Sequence, residues 1–222
     1  MRPTTVLCLR RSVLEVERKF SCGPKSNEIF RSSTGSPQFL HLKNVGQRTF
    51  EDQYFDRQQL LTTNGIWVRR RNGAWQAKVR TDHLNSTYTN SRFEELSEPS
   101  EILKLVQQFV RGVEYLPTEE SGCDVRDSGL EVLARFTTSR DVWKIDERFE
   151  VVLDGTDFGH WVGEVGLQQT VYLDDNKREA LAQRRVKCAE MDRDIESFME
   201  HYRWAFPVDN PVGKLSAYFA KR

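Results

Sequence analysis

The segment VLEVERKF (residues 13–20) carries a charged side chain at every second position: Glu15, Glu17 and Lys19. Because successive side chains of a β-strand point to opposite faces, these three would lie on one face of a strand. Two carboxylates at that spacing repel each other unless something cationic lies between them. Carboxylate oxygens are also the ligands that Mg²⁺ prefers. The segment therefore predicts a strand that needs a charged partner on one face.

Basic side chains follow the same period on later segments. In WVRRR, Trp67, Arg69 and Arg71 share one face, and Gln76 and Lys78 share a face on the segment that follows. Between Arg140 and Asp154, the even positions are mostly charged and the odd positions are almost all apolar.

Two arrangements would explain these one-sided strands. An ordinary half-exposed sheet would turn its polar faces to water. A closed barrel with inward charged faces would form a tunnel, which is stable only if the charges pair with one another or with a charged ligand. Polyphosphate together with a divalent metal is the simplest ligand that satisfies both signs of charge.

Strand signals dominate the chain, and the Asn72-Gly73 pair is a strong hairpin signal. We predict strands at Val13–Phe20, Arg48–Asp56, Gly65–Arg80 (a hairpin), Ser86–Leu96, Leu130–Thr138, Val142–Leu153 and once more within 155–170. Helices are predicted at Lys25–Ser33, 99–112 and Asp174–Trp204. The expected fold is α+β, a mainly antiparallel closed β-barrel with peripheral helices. We expect one domain over residues 1–222, with 1–12 as an N-terminal extension and 174–188 as an insertion.

Composition argues against several classes of partner. The chain has 33 basic and 33 acidic residues, so its net charge gives no general reason to bind nucleic acid or a membrane. No apolar run approaches the roughly 18 residues of a membrane span. The four cysteines form no C-x-x-C pair, which is typical of reduced thiols in an intracellular protein. We expect a cytoplasmic monomer that acts on a small molecule. The arginine-containing N-terminus leaves organelle targeting open.

The motifs, taken in order, resemble those of the CYTH, or triphosphate tunnel metalloenzyme, superfamily. The resemblance is carried by EVERKF, YFD, WVRRR, WQAK, FEEL, SRDVWK, LDGTDFGHWVGEV and GKLSAYF, which together span most of the chain. Within the superfamily, the opening motif, the WVRRR hairpin and the DFG segment are most similar to those of the thiamine triphosphatases. The resemblance implies metal-dependent hydrolysis of thiamine triphosphate to thiamine diphosphate and phosphate.

The same resemblance implies roles for individual residues. Mg²⁺, or alternatively Mn²⁺, would be held by Glu15, Glu17, Asp154 and Glu164. Substrate would be bound by Lys19, Trp67, Arg69, Arg71, Lys78, Arg140 and Lys214, with Trp67 against the thiazolium ring. Tyr54 and Lys78 would activate the attacking water. Glu95 would be a further acidic tunnel residue, and Glu150 is in phase to be another.

Two positions depart from the superfamily pattern. Val152 stands where the first acid of a D-x-D motif is usual, and Gly166 stands where the second acid of E-x-E is usual. These departures place a second metal in question. They also favour one alternative, a tunnel that binds polyphosphate or nucleotide without cleaving it. A second alternative, which does not depend on these positions, is an inorganic tripolyphosphatase or nucleoside triphosphatase on the same fold.

Overall fold

The computed structural model describes residues 9–81, 90–110, 128–174, 177–207 and 209–222. Most of the predicted N-terminal extension and the start of the predicted 86–96 strand lie outside these residues. Cys22 and Cys188 are free thiols, and Cys8 and Cys123 lie outside the described residues.

Within the described residues, eight antiparallel strands close into a ring with helices around it, which confirms the expected fold class. The strands are β1 (Leu9–Phe20), β2 (Leu42–Asp56), β3 (Ile66–Arg71), β4 (Ala74–Arg80), β5 (Asn90–Leu96), β6 (Glu131–Ile145), β7 (Phe149–Thr156) and β8 (Trp161–Asp174). Their order around the ring is β1-β5-β4-β3-β2-β6-β7-β8, and β8 pairs back with β1. The predicted hairpin joins β3 to β4, with positive φ at both Asn72 (46°) and Gly73 (89°).

The described helices lie around the ring, and the last of them contributes its first residues to the interior. They are α1 (Ser26–Ser32), α2 (Leu60–Thr63), α3 (Pro99–Gln107), α4 (Lys177–His201) and α5 (Lys214–Ala220). The short α2 was not predicted, since four residues are too few to show a helical period. It is held by the Asp56 carboxylate, which accepts hydrogen bonds from the backbone N–H groups of Leu61 and Thr62. Residues 177–188 of the predicted insertion form the first part of α4. No helix in these stretches is long and apolar enough to cross a membrane.

The two larger hydrophobic clusters lie between the outer face of the ring and the helices, and a third, around Tyr54 and Phe136, lies on the inner face and packs against α5. Leu14 and Val16 of β1 pack with Met191, Ile195 and Phe198 of α4 in one buried cluster. A second cluster joins β3 and β4 to α3. Because Leu14 and Val16 of β1 face outward to α4, the alternate positions Glu15, Glu17 and Lys19 face the interior of the ring.

One predicted strand boundary was wrong. The break expected at residues 139–141 does not occur, because β6 runs unbroken to Ile145 and the turn follows it. Asp146 and Glu147 adopt positive φ there (50° and 58°), and the Asp146 carboxylate accepts hydrogen bonds from His41 N–H and Tyr202 Oη. These partners are distant in sequence, so the local pattern could not locate the turn.

A buried ion cluster holds α4 against β1 and β5. Asp192 accepts hydrogen bonds from Arg18 (2.8 Å), Arg92 (2.8 Å) and Asn90 (3.0 Å). Asp192→Asn should lower the free energy of unfolding by about 1–3 kcal/mol, because charge-assisted hydrogen bonds to a buried group are lost. Urea denaturation would measure the loss. Asp194→Asn on the same helix breaks only an exposed pair with Arg148 and should cost less than about 1 kcal/mol. Equal losses in the two variants would contradict a structural role for the buried cluster.

Candidate functional site

The inward side chains surround a cavity of about 320 Å³. Its described lining residues are Glu15, Glu17, Lys19, Tyr54, Trp67, Arg69, Arg71, Gln76, Lys78, Arg80, Ser91, Phe93, Glu95, Arg140, Glu164, Gly213, Lys214, Leu215 and Ser216. Each predicted site residue except Asp154 and Glu150 lies in this lining. The structure thus brings together charged residues from six of the eight described strands and from the start of α5, and β2 adds the hydroxyl of Tyr54.

Lys78 on β4 lies among three carboxylates, and we call this group the Lys78 cluster (Lys78, Glu15, Glu17, Glu95). Its Nζ is 2.7 Å from Glu17 Oε1 and 3.5 Å from Glu95 Oε1, and it also forms an ion pair with Glu15. This is the cation that the alternating carboxylates of β1 require. Oε2 of Glu15 is buried and accepts no hydrogen bond of regular geometry from the described residues, despite its contact with Lys78.

The Lys78 cluster shifts the protonation of its members. Burial raises the pKa of both Glu15 and Glu17, and the neighbouring carboxylates add to this effect while Lys78 opposes it. For Lys78, burial works against the charged form, but Glu15, Glu17 and Glu95 outweigh it and raise its pKa. Lys78 therefore stays an ammonium ion at neutral pH. It can donate hydrogen bonds but cannot accept a proton.

A second group of charges lies on the opposite side of the ring. Asp154 on β7 accepts two hydrogen bonds of 2.7 Å from Arg140 on β6 and a further one from Lys214 at the start of α5. We call these three residues the Asp154 cluster. Burial alone would raise the pKa of Asp154, but Lys214 and Arg140 outweigh it and hold that pKa below its ordinary value. The cluster fixes two cations at the cavity surface.

Lys19 and Glu164 connect the two groups. Lys19 Nζ is 3.9 Å from Glu17 and 3.6 Å from Glu164, and Arg140 Nη2 is 3.6 Å from Glu164. Burial opposes ionisation of Glu164, but Lys214, Lys19 and Arg140 outweigh it and lower its pKa. Glu164 is therefore a carboxylate at neutral pH, and it is the acid that β8 contributes to the cavity.

Two arginines of β3 are oriented by a buried acid on β2. Arg71 makes two hydrogen bonds to Asp52 (2.7 and 2.8 Å), and Arg69 lies 4.0 Å from the same carboxylate. Arg69 also donates to Gln76 (2.9 Å) and, at 3.5 Å, to Tyr54 Oη. Bidentate carboxylate contacts leave the rest of each guanidinium free to face an anion. Tyr54 and the two arginines therefore form one continuous polar surface.

Two predicted acidic residues are placed differently from the expectation. Asp154 does not line the cavity: it is 0 % exposed and its oxygens are taken by Arg140 and Lys214, so it supports cations where a metal ligand was expected. Glu150 is exposed near the β6–β7 turn, opposite Lys144 and Gly166, and does not line the cavity. The alternation of residues along a strand predicts on which face a side chain lies. It does not predict how far along the axis of the ring the side chain lies or how deeply it is buried.

The two departures from the superfamily pattern affect the same side of the cavity. Val152 is buried opposite Glu164, and Gly166 lies opposite Glu17 in the β1–β8 pair. With Asp154 engaged by cations, the acids that line the cavity from the described residues are Glu15, Glu17, Glu95 and Glu164.

Sequence reasoning missed several lining residues. Arg80 is in phase with Gln76 and Lys78 on β4, so alternation could have identified it. Alternation could also have identified Asp52, which is in phase with Tyr54 on β2 and lies buried behind the lining. Phe93 lies opposite Arg80 on β5. Its apolar side chain gave no signal, because an inward aromatic residue looks like core.

The described lining carries an excess of positive charge. Seven lining side chains are cationic and four are carboxylates, with Asp52 and Asp154 behind them. Such a surface attracts anions of several charges, and the enclosure strengthens that attraction. The arrangement is therefore that of an anion-binding cavity in which carboxylates are concentrated around Lys78.

A solved structure and curated relatives resemble this chain. The structure of PH1819 protein from Pyrococcus horikoshii OT3 covers 94% of the chain and 99% of its own, with a TM-score of 0.53 at 16% identity, which shows a shared fold. The thiamine-triphosphatases of Homo sapiens and Macaca fascicularis are each 29% identical over 168 residues, which is 71% of this chain and 69% of theirs. The family model of the CYTH domain matches residues 14–186, which is most of the chain and extends from within β1 to beyond the end of β8. The protein belongs to the CYTH domain family.

Proposed function

We propose that the protein hydrolyses the terminal phosphoanhydride bond of a small triphosphate with the help of Mg²⁺. One water is consumed, and the products are a diphosphate and orthophosphate. The observation that carries this proposal is the enclosed cavity lined by seven cations, with Glu15 and Glu17 on one side. The names of the thiamine-triphosphatase relatives support the same class of reaction.

The residues present fit a divalent cation shared with phosphate. No group of three or more His, Cys, Asp or Glu in the described ranges is arranged to hold a metal. However, Mg²⁺ is commonly held by one or two carboxylates together with substrate phosphates. Glu15, whose buried Oε2 lacks a regular hydrogen bond, and Glu17 would supply these carboxylates, and Glu164 could supply a third. Mn²⁺ would suit the same oxygens. When bound, the metal would neutralise phosphate charge and polarise the phosphoryl oxygens.

The remaining side chains would position the substrate. Arg69 and Arg71, oriented by Asp52, would bind phosphate oxygens on one side, and Arg140 and Lys214, oriented by Asp154, would bind them on the other. In phosphoryl transfer most of the catalysis comes from such positioning and charge neutralisation.

Lys78 and Tyr54 would orient the attacking water. The raised pKa of Lys78 keeps it an ammonium ion, so it would donate a hydrogen bond to the water or to a phosphate oxygen. In this proposal the pair therefore orients the water, and Lys78 does not act as a general base.

Two kinds of triphosphate are candidates. Thiamine triphosphate is supported by the names of the relatives and by the aromatic Trp67 in the lining. Inorganic tripolyphosphate is favoured by a different observation, the placement of the Arg80 guanidinium over the Trp67 ring. A nucleoside triphosphate shares the reactive chain of phosphates.

Phosphate release across these substrates tests the proposal. We expect Mg²⁺-dependent release of one orthophosphate per diphosphate formed from at least one of them, and loss of release when a chelator removes the metal. Tight binding without release, measured by calorimetry, would instead identify a non-catalytic polyphosphate-binding protein. If the protein neither binds nor hydrolyses any of these triphosphates, the proposal is contradicted.

A monomeric state, a cytoplasmic location and the absence of nucleic-acid or membrane partners stay predictions. Sedimentation analysis of the purified chain would test the first of them.

A further inference from the structure

Arg80 lies with two aromatic residues in the cavity lining. Its guanidinium carbon is 5.0 Å from the centroid of the Trp67 ring, and Phe93 packs edge-on against the same ring at 5.6 Å. We call Trp67, Arg80 and Phe93 the indole cluster. All three line the cavity, on β3, β4 and β5. The position over the indole that would attract a ligand cation thus already holds a cation.

Among the described residues, Arg80 has no carboxylate partner of the kind that Arg71 and Arg140 have. Arg71 is paired with Asp52 and Arg140 with Asp154. No ion pair joins Arg80 to a carboxylate within the described ranges, and its buried Nε has no hydrogen-bond partner there. A buried donor without a partner destabilises a protein unless a ligand supplies the acceptor. The Arg80 side chain lines the cavity, so an anion bound there would lie beside its guanidinium and offset the uncompensated charge.

We propose that Arg80 is a specificity-determining residue that selects triphosphates whose distal end is anionic over those that carry a cationic ring. The distal phosphate of inorganic tripolyphosphate would accept hydrogen bonds from Arg80, as in other guanidinium–phosphate contacts. A thiazolium ring at Trp67 would instead meet a like charge and would have to displace it. This inference rests on the proposed triphosphate hydrolysis and names its substrate class.

The test compares Arg80→Gln with wild type on inorganic tripolyphosphate, thiamine triphosphate and ATP. We expect kcat/KM for tripolyphosphate to fall about tenfold in Arg80→Gln, because one charge-assisted contact is lost. The kcat/KM for thiamine triphosphate should stay equal or rise, because a like charge has been removed from the indole. The kcat/KM for ATP, whose adenosine end is uncharged, should change less than that for tripolyphosphate. Arg80→Lys, which keeps the charge, should retain part of the preference for tripolyphosphate over thiamine triphosphate that Arg80→Gln loses. Arg135→Gln, which removes an exposed arginine paired with Glu51, should leave the ratio unchanged.

A cycle with Trp67 gives an independent readout. In the wild-type background, Trp67→Ala should raise the Kd of thiamine triphosphate no more than that of tripolyphosphate. In the Arg80→Gln background, the exposed indole can stack on the thiazolium, so Trp67→Ala should raise the Kd of thiamine triphosphate selectively, by about fivefold. A selective effect already in wild type would overturn the proposal, as would a substrate ratio that Arg80→Gln leaves within about twofold.

Affinities measured by calorimetry in the presence of a chelator separate the two proposals. If wild type binds triphosphates but releases no phosphate, hydrolysis fails while the ratio of Kd values still tests Arg80. If turnover is normal and the Kd ratio is insensitive to Arg80, the specificity proposal fails alone.

Discussion

Replacing Glu17 with glutamine is expected to lower metal-dependent turnover of a triphosphate by at least about 10²-fold, because a metal contributes several kcal/mol of transition-state stabilisation. Glu17 lies between Lys78 (2.7 Å) and Lys19 (3.9 Å) and is 9 % exposed. Glutamine keeps the shape of the side chain but lacks the charge that a divalent cation needs. Turnover measured against Mg²⁺ concentration would show the loss.

Direct metal binding distinguishes this effect from a general disturbance of the cavity. Binding of Mn²⁺ in the presence of a triphosphate, followed by electron paramagnetic resonance, should weaken in Glu17→Gln. Triphosphate affinity in chelator should be retained or increased, since a negative charge has left the cavity. Glu150→Gln is the matched control, because it removes an exposed carboxylate outside the lining. Full turnover in Glu17→Gln would show that Glu17 does not hold a required metal.

Asp154→Asn is expected to lower the free energy of unfolding by about 3–5 kcal/mol, the usual loss when one partner of a buried ion pair is removed. The Asp154 carboxylate is 0 % exposed and is bound by both Arg140 and Lys214. Asparagine would leave these two cations close together with Glu164 as the nearest remaining acid for Arg140. Urea denaturation monitored by tryptophan fluorescence would measure the change.

The pH dependence of this loss follows from the lowered pKa of Asp154. A carboxyl whose pKa is lower in the folded than in the unfolded state contributes its full stability above the unfolded value, which is near 4. That contribution is lost as the pH falls through the folded value. The difference between wild type and Asp154→Asn should therefore be largest near neutral pH and vanish in strong acid.

A surface ion pair provides the control for Asp154. Arg135 and Glu51 form a bidentate pair, but their side chains are 59 % and 41 % exposed. Glu51→Gln should cost less than about 1 kcal/mol. A loss for Asp154→Asn as small as that would mean that Arg140 and Lys214 are held in place without the carboxylate.

The sequence by itself determined the faces of the strands. Glu15, Glu17 and Lys19 recur at every second position of β1, as do Arg69 and Arg71 in the hairpin marked by Asn72 and Gly73, and these side chains all line the cavity. Such features could be predicted because the two-residue period of a strand and the positive φ of a tight turn are local properties of the backbone.

Only the tertiary structure decided which residues meet and which are buried. The alternation of charged and apolar residues was followed from Arg140 to Asp154 as one stretch, yet these two residues lie opposite each other on β6 and β7, because His41 and Tyr202 fix the turn at Asp146. Arg80 reaches Trp67 across the β3–β4 pair. The physical reason is that closing the ring sets the register, height and desolvation of each charge through contacts distant in sequence, and the alternation of residues along one strand contains none of that information.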